Sequence, residues 1–231
     1  ALEYGVFDPQ AYLLQGLGYF ARGEYSESVR NNLLCLEYHP YLHNAYNNLG
    51  MAYNGQKNYD EALVILNRLK SLNPNHVEVH ANLAMAYQGL ERNDEAISEF
   101  QQAVAMDTMT SQFRYLLGAA YEQKGQSELA ASEYRRILRK DPDDIATRYR
   151  LGVALQDQNE HAKAAAELFR ILQTNRDYLP AYFSLGEVYE AQGDTTRAIA
   201  AYTAFARKWK LDPKALTDVM ERLKTLRSPS H

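Results

Sequence analysis

The sequence predicts an all-α protein in which one pair of short helices is repeated six times along the chain. The first observation is a period of 34 residues, with units that begin at Pro9, His43, Val77, Ser111, Ile145 and Leu179. The second is a small residue at the eighth position of every unit, namely Gly16, Gly50, Ala84, Gly118, Gly152 and Gly186. A large apolar residue follows three positions later and a second small residue nine positions after that, as in Tyr53 and Ala62. A fixed period of this length is typical of a solenoid.

The alternation of small and large residues predicts close packing within each helix pair. A small residue in the first helix allows the second helix to approach, and the aromatic residue one turn later fills the space beside it. Because one pair cannot bury its apolar face alone, neighbouring pairs stack and share a continuous core.

The second and fourth units carry the fullest form of this pattern. Its residues are Leu49, Gly50, Tyr53, Tyr59, Ala62 and Pro74 in the second unit, and Leu117, Gly118, Tyr121, Ala130, Tyr134 and Pro142 in the fourth. They resemble the signature of the tetratricopeptide repeat family, in which L-G-x-x-x-Y is followed by A and then P. The resemblance implies a right-handed α-solenoid, or superhelix, of helix-turn-helix units. Thr108, Arg176 and Lys210 replace the closing proline, and there we expect looser turns.

The repeats leave a short segment at each end of the chain. An N-terminal extension of residues 1–8 precedes the units, and Asp8 followed by Pro9 predicts a helix start. The units span residues 9–42, 43–76, 77–110, 111–144, 145–178 and 179–212. Asp212 and Pro213 repeat the start signal, and apolar residues at helical spacing predict a capping helix over 213–227 before a tail of residues 228–231.

The first helix of the first unit is unusually apolar on one side. Leu13, Leu14, Leu17 and Phe20 share that side at helical spacing. Residues 1–8 are the favoured cover, because a terminal repeat needs a cap for solubility. The alternative cover is a second copy of the protein, which would make the chain a homo-oligomer through its first repeat.

Composition excludes several classes of function. The net charge of −4 is opposite to the domain-wide basic patch of nucleic-acid-binding proteins, so no nucleic acid is expected. Cys35 is the single cysteine, which rules out an intrachain disulfide and is interpreted as a buried structural thiol. No apolar run approaches the roughly 18 residues of a transmembrane helix. We therefore expect a soluble chain, and the sequence leaves its compartment open.

The family resemblance also implies where a ligand would bind. In tetratricopeptide proteins the first helices line a concave groove, and reading the groove positions here gives a candidate set for peptide or protein binding. The set comprises Asn44, Asn47, Asn48, Met51, Asn82, Met85, Tyr115, Tyr149, Arg150 and Phe183.

Two groups in this set have distinct chemistry. Asn48 and Asn82 occupy the same position in successive units, similar to part of the asparagine ladder with which O-linked N-acetylglucosamine transferase holds a peptide backbone. The alternative is that both amides only solvate a helix face. Tyr115, Tyr149 and Phe183 are aromatic residues one repeat apart that either anchor apolar side chains of a partner or pack between neighbouring helices.

Charge in the C-terminal half of the groove indicates the kind of partner. The acidic residues Glu122, Asp157, Glu187 and Glu190 outnumber Arg150. They favour a protein or peptide that is apolar with some positive charge. The carboxylate clamp of chaperone-binding relatives is not expected, because no unit has lysine at the fifth position.

No catalytic motif, cofactor site or metal site is indicated. His76, Glu78 and His80 read H-x-E-x-H rather than the H-E-x-x-H of zinc proteases, and His80 is expected to pack in the core. The sequence therefore predicts a non-catalytic scaffold or adaptor. Two alternatives are a self-assembling organiser that recruits partners, as in bacterial organelle-coat proteins of this family, and the targeting module of a larger enzyme.

Overall fold

The computed structural model describes residues 8–209 and 213–227, and within them it contains thirteen α-helices and no strand. The first helices of the pairs are α1 (Pro9–Ala21), α3 (His43–Gly55), α5 (Val77–Gly89), α7 (Ser111–Gln123), α9 (Ile145–Asp157) and α11 (Leu179–Ala191). The second helices are α2 (Tyr25–Tyr38), α4 (Tyr59–Leu72), α6 (Asn93–Met106), α8 (Ser127–Lys140), α10 (His161–Thr174) and α12 (Thr195–Lys208). The last helix is α13 (Pro213–Arg227). The predicted fold class, an all-α solenoid of six helix pairs with a C-terminal capping helix, is confirmed.

The turn inside each pair has a left-handed residue at the same place in all six units. Three residues join the two helices, and the second of them is left-handed in every case, with φ of 77° at Gly23, 63° at Lys57, 60° at Glu91, 73° at Gly125, 58° at Asn159 and 72° at Gly193. Glycine adopts this conformation without a steric penalty, whereas Lys57 and Glu91 adopt it at a cost. The fold therefore imposes the turn even where the residue type disfavours it.

A side chain closes four of the turns between consecutive pairs, whether or not proline is present: those of Asn73, Asp107, Asp141 and Asn175. The Oδ1 atom of Asn73 accepts the backbone N–H of Asn75 at 3.3 Å, directly across Pro74. Asp107 and Asn175 accept equivalent bonds, at 2.8 Å from Met109 N and 3.0 Å from Asp177 N, although no proline follows them. The turns at Thr108 and Arg176, where looser geometry was expected, thus keep the hydrogen bond of the proline-containing turn. Lys210 lies outside the described residues.

The chain divides into two compact units, residues 1–120 and 121–231. In the first unit α1 packs on α2, α3 on α4 and α5 on α6, while α2–α3 and α4–α5 contacts join consecutive pairs. Its core includes the fully buried residues Leu66, Leu69, Val79 and Leu83. These side chains come from two consecutive pairs, so the apolar core continues from one repeat to the next.

In the second unit α9 packs on α10 and α11 on α12, and α13 packs on α12. Val219 and Leu223 of α13 are buried with Tyr202 and Phe205 of α12, whereas Met220 remains exposed. The predicted capping helix thus buries one apolar side and leaves the other in solvent. Its predicted N-cap, Asp212, lies outside the described residues.

The close packing predicted from the small residues is observed. The small residues of the second helices are fully buried: Ser28, Ala62, Ala96, Ala130, Ala164 and Ala198. On the first helices, a Cβ atom added at Gly50 would overlap the side chain of Leu66, and one at Gly186 would overlap Tyr202. Backbone and side chain therefore meet directly at these positions.

The N-terminal repeat follows the prediction in part. Asp8 caps α1 by accepting the N–H of Gln10 at 2.9 Å. Cys35 is fully buried, as predicted, with Sγ 3.4 Å from the carbonyl oxygen of Pro9, and burial raises the pKa of its thiol. Leu14 and Leu17 of α1 are 67% and 46% exposed. The cover expected from residues 1–8 lies outside the described residues apart from Asp8.

Among the described helices, none combines the length and the hydropathy that crossing a membrane requires.

Replacing Gly50 with alanine tests the helix-pair contact. Leu66, which the new methyl group would meet, is itself fully buried and cannot move aside. We expect Gly50→Ala to lower the free energy of unfolding by roughly 1–3 kcal/mol, as overpacking does. Urea denaturation followed by circular dichroism measures the change.

Gly18 is the matched control in α1. A Cβ atom there would have Arg22 Nη1 as its nearest neighbour, at 3.9 Å. Gly18→Ala should raise stability by up to about 1 kcal/mol through helix propensity alone. A shift of the same sign and size in both variants would contradict the packing interpretation.

Candidate functional site

The first helices of residues 1–120 form one candidate surface. Helix α3 contacts both α1 and α5, so equivalent positions on the three helices are neighbours. The ninth position of each of the first three repeats is apolar and accessible to solvent. Leu17 is 46% exposed, Met85 is 44% exposed and Met51 is half-buried. We refer to Leu17, Met51 and Met85 as the apolar row.

Asparagine side chains beside the row join α3 to α5. Asn82 is 8% exposed, and its Nδ2 atom donates to Asn47 Oδ1 at 2.8 Å. Its backbone carbonyl accepts from Asn54 Nδ2 at 2.9 Å. Asn47 also directs its own Nδ2 toward Met51 Sδ, 3.5 Å away. These hydrogen bonds join the second repeat to the third, so Asn82 has a structural role in the framework of stacked repeats.

Asn48 has a different environment from Asn82, although both occupy the sixth position of their units. The positions that contact Asn82 from the preceding unit are Asn47 and Asn54, and the corresponding residues before Asn48 are Leu13 and Phe20. Neither can hydrogen-bond through its side chain. Within the described residues the side chains of Asn48 and of the exposed Asn44 make no hydrogen bond, so both amides are available.

The predicted aromatic anchors have neighbours within the chain. The Tyr149 hydroxyl lies 3.2 Å from Ser184 Oγ, and the Tyr149 ring meets the Tyr178 ring edge-on at 5.6 Å. Phe183 lies 5.7 Å from the Phe205 ring, and the Arg222 guanidinium stands over it at 5.7 Å. The geometry of Tyr149 and Phe183 favours the alternative of packing between helices. Tyr115, on α7, is half-buried.

The acidic residues of the second unit have cationic neighbours. Arg150 Nη1 lies 3.2 Å from Glu122 Oε2. Arg222 of α13 lies 3.2 Å from Glu190 Oε2 and 3.6 Å from Glu187 Oε1. Three of the four predicted carboxylates therefore have a cationic neighbour, although Glu187, Glu190 and Asp218 share the single charge of Arg222, and Asp157 remains exposed.

Burial also changes the ionisation of this cluster. Burial raises the pKa of Glu122 and of Glu187, and the nearby Arg150 and Arg222 oppose that rise. The Tyr202 hydroxyl donates to Glu190 at 2.9 Å, and burial together with this bond raises the pKa of Tyr202. Arg222 was not predicted as part of this cluster, because helical spacing marks the apolar side of α13 but not the partner of each charge.

His80 is a core residue, as predicted. It is 5% exposed, and its Nδ1 atom lies 2.6 Å from Glu99 Oε2. Lys70 Nζ reaches the other oxygen of Glu99 at 2.8 Å. In the part of the chain that the structure describes, no group of three or more His, Cys, Asp or Glu residues is arranged to hold a metal ion.

Helix pairs of fixed period, small residues at the contact and a capping helix define the class of helical repeat proteins that serve as protein-interaction modules. Four family models, each described as Tetratricopeptide repeat, match residues 41–109, 82–145, 121–188 and 180–210. The chain belongs to the tetratricopeptide repeat family, as the resemblance predicted.

Solved structures agree with this fold. A tetratricopeptide repeat protein from Parabacteroides merdae ATCC 43184 matches with a TM-score of 0.75 at 14% identity, over 94% of this chain and 86% of that one. YrrB, described as a TPR protein with an unusual peptide-binding site, matches with 0.70 at 15% identity over 84% and 97%. MamA matches with 0.64 at 22% identity over 69% and 94%. At these identities the likeness concerns the fold. No curated protein sequence gives a match.

Asn48 and Asn82 provide a matched test of the two environments. Asn82→Ala removes a buried donor and leaves Asn47 without its partner, so we expect a loss of about 1–2 kcal/mol in the free energy of unfolding. Asn48→Ala should stay within about 0.5 kcal/mol of wild type. Both substitutions change helix propensity equally, so the difference in urea denaturation reports the hydrogen bonds. Equal losses would contradict the assignment of Asn82 to the framework.

Proposed function

We propose that this chain is a non-catalytic scaffold that binds a segment of a partner protein on the first-helix surface of residues 8–120. The observation that carries the proposal is the apolar row, whose members Leu17 in the first repeat and Met85 in the third are 46% and 44% exposed, with the half-buried Met51 of the second repeat between them. Accessible apolar side chains rimmed by polar groups are typical of protein-binding sites. Membership of a family of interaction modules supports the same function.

The chemistry of the surface suits a peptide or helix with regularly spaced apolar side chains. The flexible thioethers of Met51 and Met85 adapt to different apolar shapes. The free amides of Asn44 and Asn48 can each donate to and accept from a peptide group. The bound segment would thus place apolar side chains on the row and its backbone against the asparagines.

Charge has a minor part in the proposal. A partner with some positive charge fits the net charge of −4. The side chains of the apolar row are uncharged, so burial of apolar surface is expected to supply most of the affinity.

Met85→Glu tests the row against a control on a second helix. Val64 of α4 is 69% exposed, so Val64→Glu introduces the same charge outside the row. We expect proteins captured from a native lysate by wild type and by Val64→Glu to be lost with Met85→Glu by roughly tenfold or more, since a buried charge opposes apolar binding. Quantitative mass spectrometry reads the capture, and circular dichroism checks the fold of each variant. Equal capture by all three proteins would reject the row as the binding site.

Self-assembly through α1 is a second candidate, favoured by the 67% exposure of Leu14 beside Leu17. If a second copy covers these leucines, the mass measured by light scattering should rise with concentration for wild type. Leu14→Glu should remain a monomer, because a charge opposes burial of this side. Leu33→Glu on α2, where Leu33 is 46% exposed, is the control and should assemble like wild type. A wild-type monomer at every concentration would exclude this candidate.

A further inference from the structure

A cleft of about 540 Å³ opens in the second unit among α8, α9, α10 and the turn that joins α8 to α9. Four arginines line it: Arg135 and Arg139 of α8, Arg148 of α9 and Arg170 of α10. We refer to it as the arginine cleft. It is built mainly on second helices, so its surface differs from the first-helix surface that carries the apolar row.

One carboxylate, Glu167, is among the residues that line the cleft, and it organises two of the arginines. Arg148 Nη1 lies 2.5 Å from Glu167 Oε2, and Arg170 Nη1 lies 2.9 Å from Oε1. Arg148 also donates to the carbonyl oxygen of Pro142. Four guanidinium groups and one carboxylate leave the lining with an excess of three positive charges.

Arg135 and Arg139 supply much of this excess. They lie one helical turn apart on α8, both are exposed, and neither has an ion-pair partner among residues 8–209 and 213–227. Like charges with this spacing repel each other and destabilise a helix. An anion bound between Arg135 and Arg139 would replace this repulsion with two attractive contacts. Within the described residues, neither arginine makes an ion pair that stabilises the fold.

The floor and the size of the cleft indicate a ligand larger than an ion. Leu151 is buried and Leu138 is half-buried at the lining, so the space is apolar below its cationic rim. Its volume of about 540 Å³ is within the range of about 300–1,000 Å³ found for ligand sites. A ligand that fills it must combine several negative groups with apolar surface.

We propose that the arginine cleft binds an acidic segment of a partner protein. Carboxylates of that segment pair with Arg135, Arg139 and Arg170, because guanidinium groups match carboxylates in a bidentate geometry. An apolar side chain of the same segment rests on Leu138 and Leu151. A nucleic acid fits less well, since it requires an extended line of cations, whereas this chain carries a net charge of −4.

The test uses the whole chain and a fluorescein-labelled peptide, Glu-Glu-Leu-Asp-Glu-Leu-Glu. Fluorescence anisotropy should show saturable binding that weakens as salt is added, because salt screens exposed charges. A second peptide with serine in place of both leucines has the same charge and should bind several-fold more weakly. A single-stranded oligonucleotide of equal charge should compete poorly with the first peptide.

The variant Arg135→Glu, Arg139→Glu should weaken binding by roughly tenfold or more, because it replaces two attractions with two repulsions. Arg135→Gln, Arg139→Gln removes only the attractions and should give an intermediate loss. Arg30→Glu, Arg68→Glu is the matched control, since both residues are exposed on second helices of the other unit and do not line the cleft. The control should bind the peptide within about twofold of wild type.

Several results would overturn the proposal. Absence of saturable peptide binding would reject the site, and equal weakening by the control pair would reduce it to an effect of net charge. Equally tight binding of the oligonucleotide would replace an acidic protein segment with a polyanion of another class. If the serine peptide bound as tightly as the leucine peptide, a role of Leu138 and Leu151 in recognition would be rejected.

Discussion

The structure depends on the close contact between the two helices of each repeat. At Gly50 the backbone of α3 leaves space for the fully buried side chain of Leu66, and the small residue Ala62 is buried on the same second helix. Dense packing of this kind tolerates little change in volume, so it fixes the distance and the rotation of the two helices. Once the buried side of each helix is fixed, the side that remains accessible is fixed as well. The candidate binding surfaces are consequences of this contact.

The fold could be predicted from the sequence because the residues of the helix–helix contact recur in six repeats. A single glycine or alanine would have meant little, but its recurrence in one register identifies a face that must be buried. The turns were less accessible to prediction. Lys57 and Glu91 adopt a left-handed conformation that their residue types do not favour, because the helix pair around them dictates it. The turns at Thr108 and Arg176 were expected to be looser, yet the side chains of Asp107 and Asn175 accept the same backbone hydrogen bond that Asn73 accepts in a proline-containing turn.

The candidate site was harder to predict because repeat positions identify a face but not the use of each side chain on it. Asn48 and Asn82 occupy the same position of successive repeats. The repeat before Asn82 offers it two amide side chains, those of Asn47 and Asn54. The repeat before Asn48 has Leu13 and Phe20 at the corresponding positions. The same relation recurs in the second unit, where Tyr149 meets Ser184 as Asn47 meets Asn82. A side chain at the sixth position is thus held by the fold only when the preceding repeat offers a polar partner. This contact between the fifth and sixth positions of successive repeats can be predicted from a sequence once one structure has shown it. The residue types alone do not indicate it.

Side chains that do not hold the fold are the ones free to bind. Met85 is accessible beside amides that join two repeats, so the framework positions it without depending on it. Arg135 and Arg139 are likewise exposed without an ion pair in the described chain, while Glu167 fixes the two arginines opposite them. One surface is apolar with neutral amides and the other is strongly cationic. As proposed binding surfaces they would select different partner chemistry, because an acidic segment gains nothing from methionine and an apolar one gains little from exposed guanidinium groups. A repeat framework that leaves side chains of its first helices and of its second helices accessible can therefore present two unlike binding surfaces on one chain.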